Sequence, residues 1–231
     1  MTPRAKFNLS QLPERPDLQF ESELWKQGLT FIAGLDEAGR GALAGPVAAG
    51  AVVLPVGEPD LAEHLRGVND SKQMTHRDRQ VWAQVIKKRG VSWAVGFASP
   101  NEIDRFGIAP ATRLAMTRAL DGLRCQVDYL LVDYLSLPEV NIPQKALVKG
   151  DARSLSIAAA SILAKTARDI LMIELDEAFP GYQLASNKGY ATEGHRKAIE
   201  ALGPCQHHRQ TFSPVAEYYS LFPPKSKRDL E

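Results

Sequence analysis

Phe31-Ile32-Ala33-Gly34-Leu35-Asp36-Glu37-Ala38-Gly39-Arg40-Gly41 passes from an apolar run of strand length through two adjacent carboxylates into a glycine-rich turn. Residues 31–35 predict a buried strand, and the apolar, valine-rich residues 47–54 predict its neighbour, with residues 39–45 as the turn between them. Side chains alternate along a strand, so Asp36 and Glu37 point to opposite faces unless the glycines bend the chain. A carboxylate at the end of a buried strand is costly to desolvate, and a cation or several hydrogen-bond donors must compensate it.

Working outward, helix and strand alternate. Residues 72–89 carry Val81, Trp82, Val85 and Ile86 at helical spacing and stop at Gly90, residues 91–97 return to strand, and residues 109–123 are helical again. Residues 127–132 read as another buried strand, and residues 135–149, with Pro138 and Pro143, as a loop or short hairpin. Ser154 or Ser156 caps a long helix through Ile157, Ile162, Leu163, Ile170 and Leu175 that Pro180-Gly181 ends, and one more helix covers residues 193–202. The expected fold class is α/β, a central mixed sheet flanked by helices on both faces with a helical C-terminal portion. Residues 1–19 read as a loose N-terminal arm, 20–217 as one catalytic domain, and 218–231 as a flexible tail.

Composition agrees with one globular domain. The 231 residues are 44% hydrophobic and 24% charged, which excludes disorder, collagen and coiled coil. Cys125 and Cys205 lack metal-ligand spacing, which excludes a zinc site or disulfide framework and suits a reducing compartment. No apolar run reaches membrane-spanning length and no signal peptide is visible, so a cytoplasmic protein that does not engage membranes is expected. With 28 basic residues against 27 acidic ones, the molecule as a whole cannot gather a polyanion, and local basic clusters and metal ions must do so.

Asp133 repeats the arrangement of Asp36, since it follows an apolar strand where a loop begins, and Asp151 precedes the long helix. Taken singly, each acid has an ordinary structural explanation, as a turn cap or a helix-terminus charge. Converging carboxylates without histidine or cysteine companions select a hard cation, Mg²⁺ or Mn²⁺, and such sites handle phosphates. Gly39, Gly41 and Gly45 loosely imitate a dinucleotide fingerprint, but their spacing is wrong and the preceding acids would repel a pyrophosphate. Asn69-Asp70-Ser71-Lys72, Lys188-Gly189-Tyr190 and His207-His208-Arg209 add local positive charge and stacking surface. Asp169, four residues after Lys165 on a helix, reads as half of a surface ion pair, and His195 either as structural or as a support behind the site.

Together the ordered motifs GLDEAGRG (34–41), NDSK (69–72), LVD (131–133), KGD (149–151), AAASILAKTARD (158–169), NKGY (187–190) and HRQTFSPV (208–215) resemble ribonuclease HII. That resemblance implies a ribonuclease H-like fold. It also implies cleavage of RNA in RNA–DNA hybrids and at single ribonucleotides in duplex DNA, leaving 5′-phosphate and 3′-hydroxyl ends. It places the catalytic, metal-holding acids at Asp36, Glu37, Asp133 and Asp151. Asp36 would bridge two ions, Asp151 would hold the one that activates water, and Glu37 with Asp133 the one near the leaving oxygen. The 2′-hydroxyl would be read by the turn Gly39, Arg40 and Gly41 and by Tyr190, which stacks on the following sugar, while Ser71, Lys72 and Lys188 line the phosphate path. The sister family, ribonuclease HIII, lacks this tyrosine and carries a sizeable N-terminal domain, so ribonuclease HII is the better match. Tyr134 departs from the small residue usual after the strand acid, and a changed loop is expected there. A non-catalytic hybrid-binding module is the remaining alternative. A monomer is expected, and the tail Tyr218-Tyr219-Ser220-Leu221-Phe222 lacks the glutamine of a sliding-clamp motif, so clamp binding is not expected.

Overall fold

The computed structural model describes residues 12–221. In chain order the elements are α1 (Gln19–Trp25), β1 (Ile32–Ala38), β2 (Val47–Val53), α2 (Leu61–His64), α3 (His76–Arg89), β3 (Ser92–Ala98), α4 (Pro100–Phe106) and α5 (Ile108–Asp121). They continue with β4 (Tyr129–Asp133), β5 (Gln144–Leu147), a 3₁₀ turn (Gly150–Ala152), α6 (Leu155–Ala178), α7 (Leu184–Asn187), α8 (Glu193–Leu202) and α9 (Val215–Leu221).

The strands form one mixed sheet in the order β3-β2-β1-β4-β5. β1 pairs antiparallel with β2 and parallel with β4, which places the acid-bearing strand at the centre. Helices cover both faces, as the alternation of elements predicts. On one face Ala33, Leu35, Val47, Ala49 and Ala51 pack with Ala111, Ala115 and Met116 of α5. On the other, α6 lies directly on the sheet, because Gly34 and Gly50 have no Cβ to hold it off. A Cβ at Gly34 would overlap the Ser156 backbone, and one at Gly50 the Ala160 carbonyl.

Local signals account for the ends of the helices. Ser154 caps α6 by accepting from the Ile157 amide, and Thr75 caps α3 by accepting from Asp78, so α3 begins after residue 75. Ser99 and Glu102 form a reciprocal capping box that starts α4, a helix that apolar periodicity alone does not reveal. Glu21 is buried, and its Oε1 accepts from Ser154 Oγ (2.6 Å), Ser156 Oγ (2.6 Å) and the Ser156 amide (3.0 Å), anchoring α1 at the N-terminus of α6. Burial raises the Glu21 pKa against the lowering effect of these hydrogen bonds.

One reading of the sequence is corrected. Residues 144–147, read as part of a loop or hairpin, form β5, which runs parallel to β4, whereas a hairpin would be antiparallel. Gln144 closes the preceding loop by bonding both the Leu137 amide (2.7 Å) and its carbonyl (2.8 Å). A four-residue edge strand with two exposed members carries too little alternation to be read directly. At the margins of the domain, Asp17 bridges to Ser154, ahead of residue 20, and α9 continues to Leu221, beyond residue 217. Residues 1–11 and 222–231, where most of the expected arm and tail fall, lie outside the described residues. No helix among the described residues is long and apolar enough to cross a membrane.

Candidate active site

Strand parity selects which acids meet. The side chains of Ala33 and Leu35 enter the α5-side core, as do those of Leu130 and Val132, whereas Ile32 and Leu131 pack with Ile157 of α6. Asp36 shares parity with Ile32 and Asp133 with Leu131, so both acids lie on the α6 face. The parallel register, with Leu35 opposite Val132, brings them to the same level at the C-terminal ends of neighbouring strands. Asp151, in the 3₁₀ turn leading into α6, completes the group. Carboxylate oxygens of Asp36, Asp133 and Asp151 lie within 4.8 Å of one another.

Glu37 has the opposite parity and lies outside this cluster. Its Oε1 receives Arg40 Nη1 at 3.2 Å, and its Oε2 is buried with no hydrogen-bond partner. Of the four acids expected at the metal centre, three therefore converge and the fourth flanks them, paired with the arginine of the turn.

The electrostatics are those of a cation site. Burial, then the charges of Glu37, Asp133 and Asp151, hold the Asp36 pKa well above the ordinary range. Burial and the Asp151 charge push Asp133 up to about 6, although its Oδ1 accepts the Gly150 amide at 2.7 Å. Burial likewise raises Glu37, against the lowering effect of Arg40. Lys72 Nζ stands 3.5 Å from Asp151 Oδ2, and its pKa is raised because the surrounding carboxylates outweigh its burial. Three carboxylates against this ammonium leave excess negative charge that a hard divalent ion can neutralise, and the all-oxygen donor set fits Mg²⁺ or Mn²⁺.

The other expected contacts are placed unequally. Gly39 has a φ of +90°, and a Cβ there would overlap the Arg168 guanidinium, so this glycine is required by the fold. Nothing lies within 4 Å of the position a Cβ would take at Gly41, which faces open space. Ser71 is buried and its hydroxyl is engaged with Ser161 Oγ at 2.6 Å, so it braces the turn that carries Lys72. Lys188 donates to the Ala185 carbonyl, and burial lowers its pKa. Tyr190 is 36% exposed, with the Arg168 guanidinium 5.5 Å and the Lys165 ammonium 5.9 Å from its ring centre.

Asp169, read as a surface ion pair, is fully buried. It binds Lys165 at 2.5 Å and Arg79 at 3.1 Å, and Arg79 also donates to the Ser71 and Met74 carbonyls, tying the Lys72 turn to α6. The signal was present, since Asp169 falls on the buried stripe of Ile162 and Met172 at helical spacing. The sequence reading also missed Arg79, Arg168 and Arg209 as organisers of these loops.

Carboxylates gathered at the strand ends of a mixed sheet, with a cationic, partly aromatic rim, define a metal-dependent nuclease of ribonuclease H-like fold. Residues 33–215 match the family model for ribonuclease HII. The chain is similar to the ribonuclease HII of Myxococcus xanthus, 52% identical over 205 residues that cover 88% of this chain and 68% of that protein. It is also similar to the one from Dehalococcoides mccartyi, 50% identical over 202 residues that cover 87% and 94%. Among solved structures, ribonuclease H2 of Pyrococcus horikoshii OT3 superposes with a TM-score of 0.68 at 24% identity, covering 84% of this chain and 99% of that one. The ribonuclease HII of Archaeoglobus fulgidus, solved in complex with PCNA, gives 0.67 at 25% identity, covering 86% and 99%. The chain belongs to the ribonuclease HII family, and it is a ribonuclease H, an endoribonuclease of RNA–DNA hybrids.

Proposed function

We propose that this ribonuclease H also nicks duplex DNA on the 5′ side of a single embedded ribonucleotide, by a two-metal mechanism that leaves 5′-phosphate and 3′-hydroxyl ends. The observation that carries the reading is the convergence of Asp36, Asp133 and Asp151 at one end of the sheet. These three, with Glu37 beside them, would hold two Mg²⁺ or Mn²⁺ ions. Such ions supply an activated water and charge stabilisation at the leaving oxygen. The remaining work falls to the chain. The open backbone at Gly41 admits the ribose closely, and Arg40, held by Glu37, stands at the same turn. Tyr190 offers an exposed ring to the following sugar, and Lys72 and Lys188 meet phosphates.

Residues 20–217 are read as the catalytic unit, acting as a monomer. Clamp binding through the C-terminal aromatics is not expected. Tyr219 packs into the α6–α8 core cluster and meets Tyr218 edge-on at 6.0 Å, which supports a structural use for both.

The test is a nicking assay on duplex DNA with one internal ribonucleotide. A single cut 5′ to that residue is expected with Mg²⁺ or Mn²⁺, and none with EDTA. Cleavage of long hybrids alone would replace the reading with a ribonuclease blind to junctions. Binding without metal-stimulated product on either substrate would indicate a non-catalytic module.

A further inference from the structure

Arg168 and Arg209 are both fully buried. Among the described residues neither forms an ion pair, and the hydrogen bonds of both go to backbone carbonyls. Arg168 donates from Nε to Pro46 (2.8 Å), from Nη2 to Ala44 (3.0 Å) and from Nη1 to Lys188 (2.8 Å). Arg209 donates from Nη2 to Gly39 (2.7 Å), from Nη1 to Arg40 (2.7 Å), and from both Nε and Nη2 to Gly45 (3.0 Å each). An unpaired guanidinium is costly to bury, and two side by side repel each other. A fold that needed only to fill this space would use apolar side chains.

The carbonyls these forks engage belong to two segments. One is the turn 39–46, and the other is the loop 188–190, far away in sequence. Backbone bonds reinforce both links: the Leu43 amide donates to the Gly189 carbonyl at 2.7 Å, joining turn to loop, and the Arg209 amide donates to the Leu43 carbonyl at 2.8 Å, joining the C-terminal segment to the turn. Arg168 also lies beneath the Tyr190 ring, 5.5 Å from its centre, and fills the space a side chain at Gly39 would need. The carboxylates Asp36, Asp133 and Asp151 are set separately, by the pairing of β1 with β4 and by the 3₁₀ turn.

We propose that Arg168 and Arg209 are positioning residues for ribonucleotide recognition: the Arg168 fork clamps the turn 39–46 to the loop 188–190, and the Arg209 fork fixes that turn to the C-terminal segment, so the two ribose-reading segments form one rigid frame beside the metal centre. The inference rests on the function proposed above and adds residues that touch neither substrate nor metal. Their charges, which no carboxylate among the described residues meets within ion-pair distance, also lie beneath a surface that must accept a polyanion, in a molecule whose formal net charge is only +1.

Arg168→Lys and Arg209→Lys each keep the charge and lose the planar fork. For each variant, kcat and KM are measured on a single-ribonucleotide duplex and on a long hybrid, and Mn²⁺ affinity is measured by calorimetry. The ratio of kcat/KM on the single ribonucleotide to that on the hybrid is expected to fall about tenfold, as misplacement of substrate-orienting groups costs, with Mn²⁺ affinity retained. A variant that binds Mn²⁺ normally and keeps the wild-type ratio would overturn the proposal, and so would equal losses on both substrates together with weakened Mn²⁺ binding. If neither lysine variant folds, Ala44→Gly loosens the backbone at a carbonyl that Arg168 holds, and an unchanged ratio there overturns it equally. Wild-type protein that cuts the hybrid but ignores the single ribonucleotide would instead refute the function on which the inference rests.

Discussion

At the scale of single residues, the chemistry turns on which side of a strand a carboxylate occupies. Asp36 and Glu37 are neighbours in sequence, yet parity sends one into the cation cluster and the other to Arg40. Asp133 shares the parity of Asp36, and burial with the Asp151 charge pushes its pKa up to about 6. Asp133→Asn removes one ionic oxygen at constant shape, and nicking with Mg²⁺ is expected to vanish while the variant still retards the duplex on a gel. Residual turnover near wild type would separate Asp133 from the metal centre. Tyr190→Ala is expected to lower cleavage at a single ribonucleotide about tenfold more than cleavage of long hybrids, the scale of one lost stacking surface. Equal losses on both substrates would remove Tyr190 from junction reading. Both positions stand out as candidates in the sequence because each sits in a short, ordered motif. The burial of Asp169 was missed because its i,i+4 partner Lys165 suggested a surface pair, and only the packing of α3 against α6 brings Arg79 to it.

At the scale of elements, α6 sets the depth of the site. It rests on Gly34 and Gly50, and the turn that leads into it carries Asp151. Gly50→Ala would drive a methyl group into the Ala160 carbonyl, a clash with backbone that cannot rotate away. A loss of about 3 kcal/mol, at the upper end of overpacking costs, is expected in urea unfolding. Gly41→Ala is the contrast, because nothing stands within 4 Å of the added carbon. Its stability should stay within about 0.5 kcal/mol of wild type, while cleavage at a ribonucleotide falls if this backbone approaches the ribose. An unimpaired Gly41→Ala enzyme would argue against that approach. Periodicity located the long elements well, since α5 and α6 bury apolar stripes that recur at helical spacing. It failed for α4, whose evidence is a cap rather than a stripe, and for β5, which is short and half exposed.

At the scale of the whole molecule, residues distant in sequence share one buried polar system beneath the loop 188–190. The Cys205 amide donates to His208 Nδ1 at 3.0 Å, so His208 Nε2 carries the proton and donates to His195 Nε2 at 3.1 Å. His195 Nδ1 then donates to the Tyr190 carbonyl at 2.9 Å, which couples the C-terminal segment to the Tyr190 loop. Burial, then the neighbouring His195, hold the His208 pKa at about 4, against 6.5 in an unperturbed histidine. His207 and Cys205 from its own segment and the Tyr182 ring, 4.9 Å away, also face it. The unfolded chain therefore takes up a proton that the folded one refuses as pH falls from 6.5 to 4. Stability should drop across that window, by about 3 kcal/mol in total from this group. His208→Asn keeps an acceptor for the Cys205 amide and is expected to be less stable at pH 7 but flatter with pH. Urea midpoints at pH 7 and pH 5 measure this, and parallel slopes for the two proteins would reject it.

The linear chain by itself determined the class of fold and the order of the long elements, and it offered the acids as candidates, because periodicity, caps and glycine turns are local properties of neighbouring residues. Tertiary structure alone decided that Asp36, Asp133 and Asp151 meet while Glu37 turns aside, since that depends on the register of β1 against β4. It alone also decided that Arg168 joins the turn 39–46 to the loop 188–190 and that Arg209 holds the same turn from the C-terminal segment. Their partners are backbone carbonyls, which every residue carries and which therefore leave no mark in a sequence.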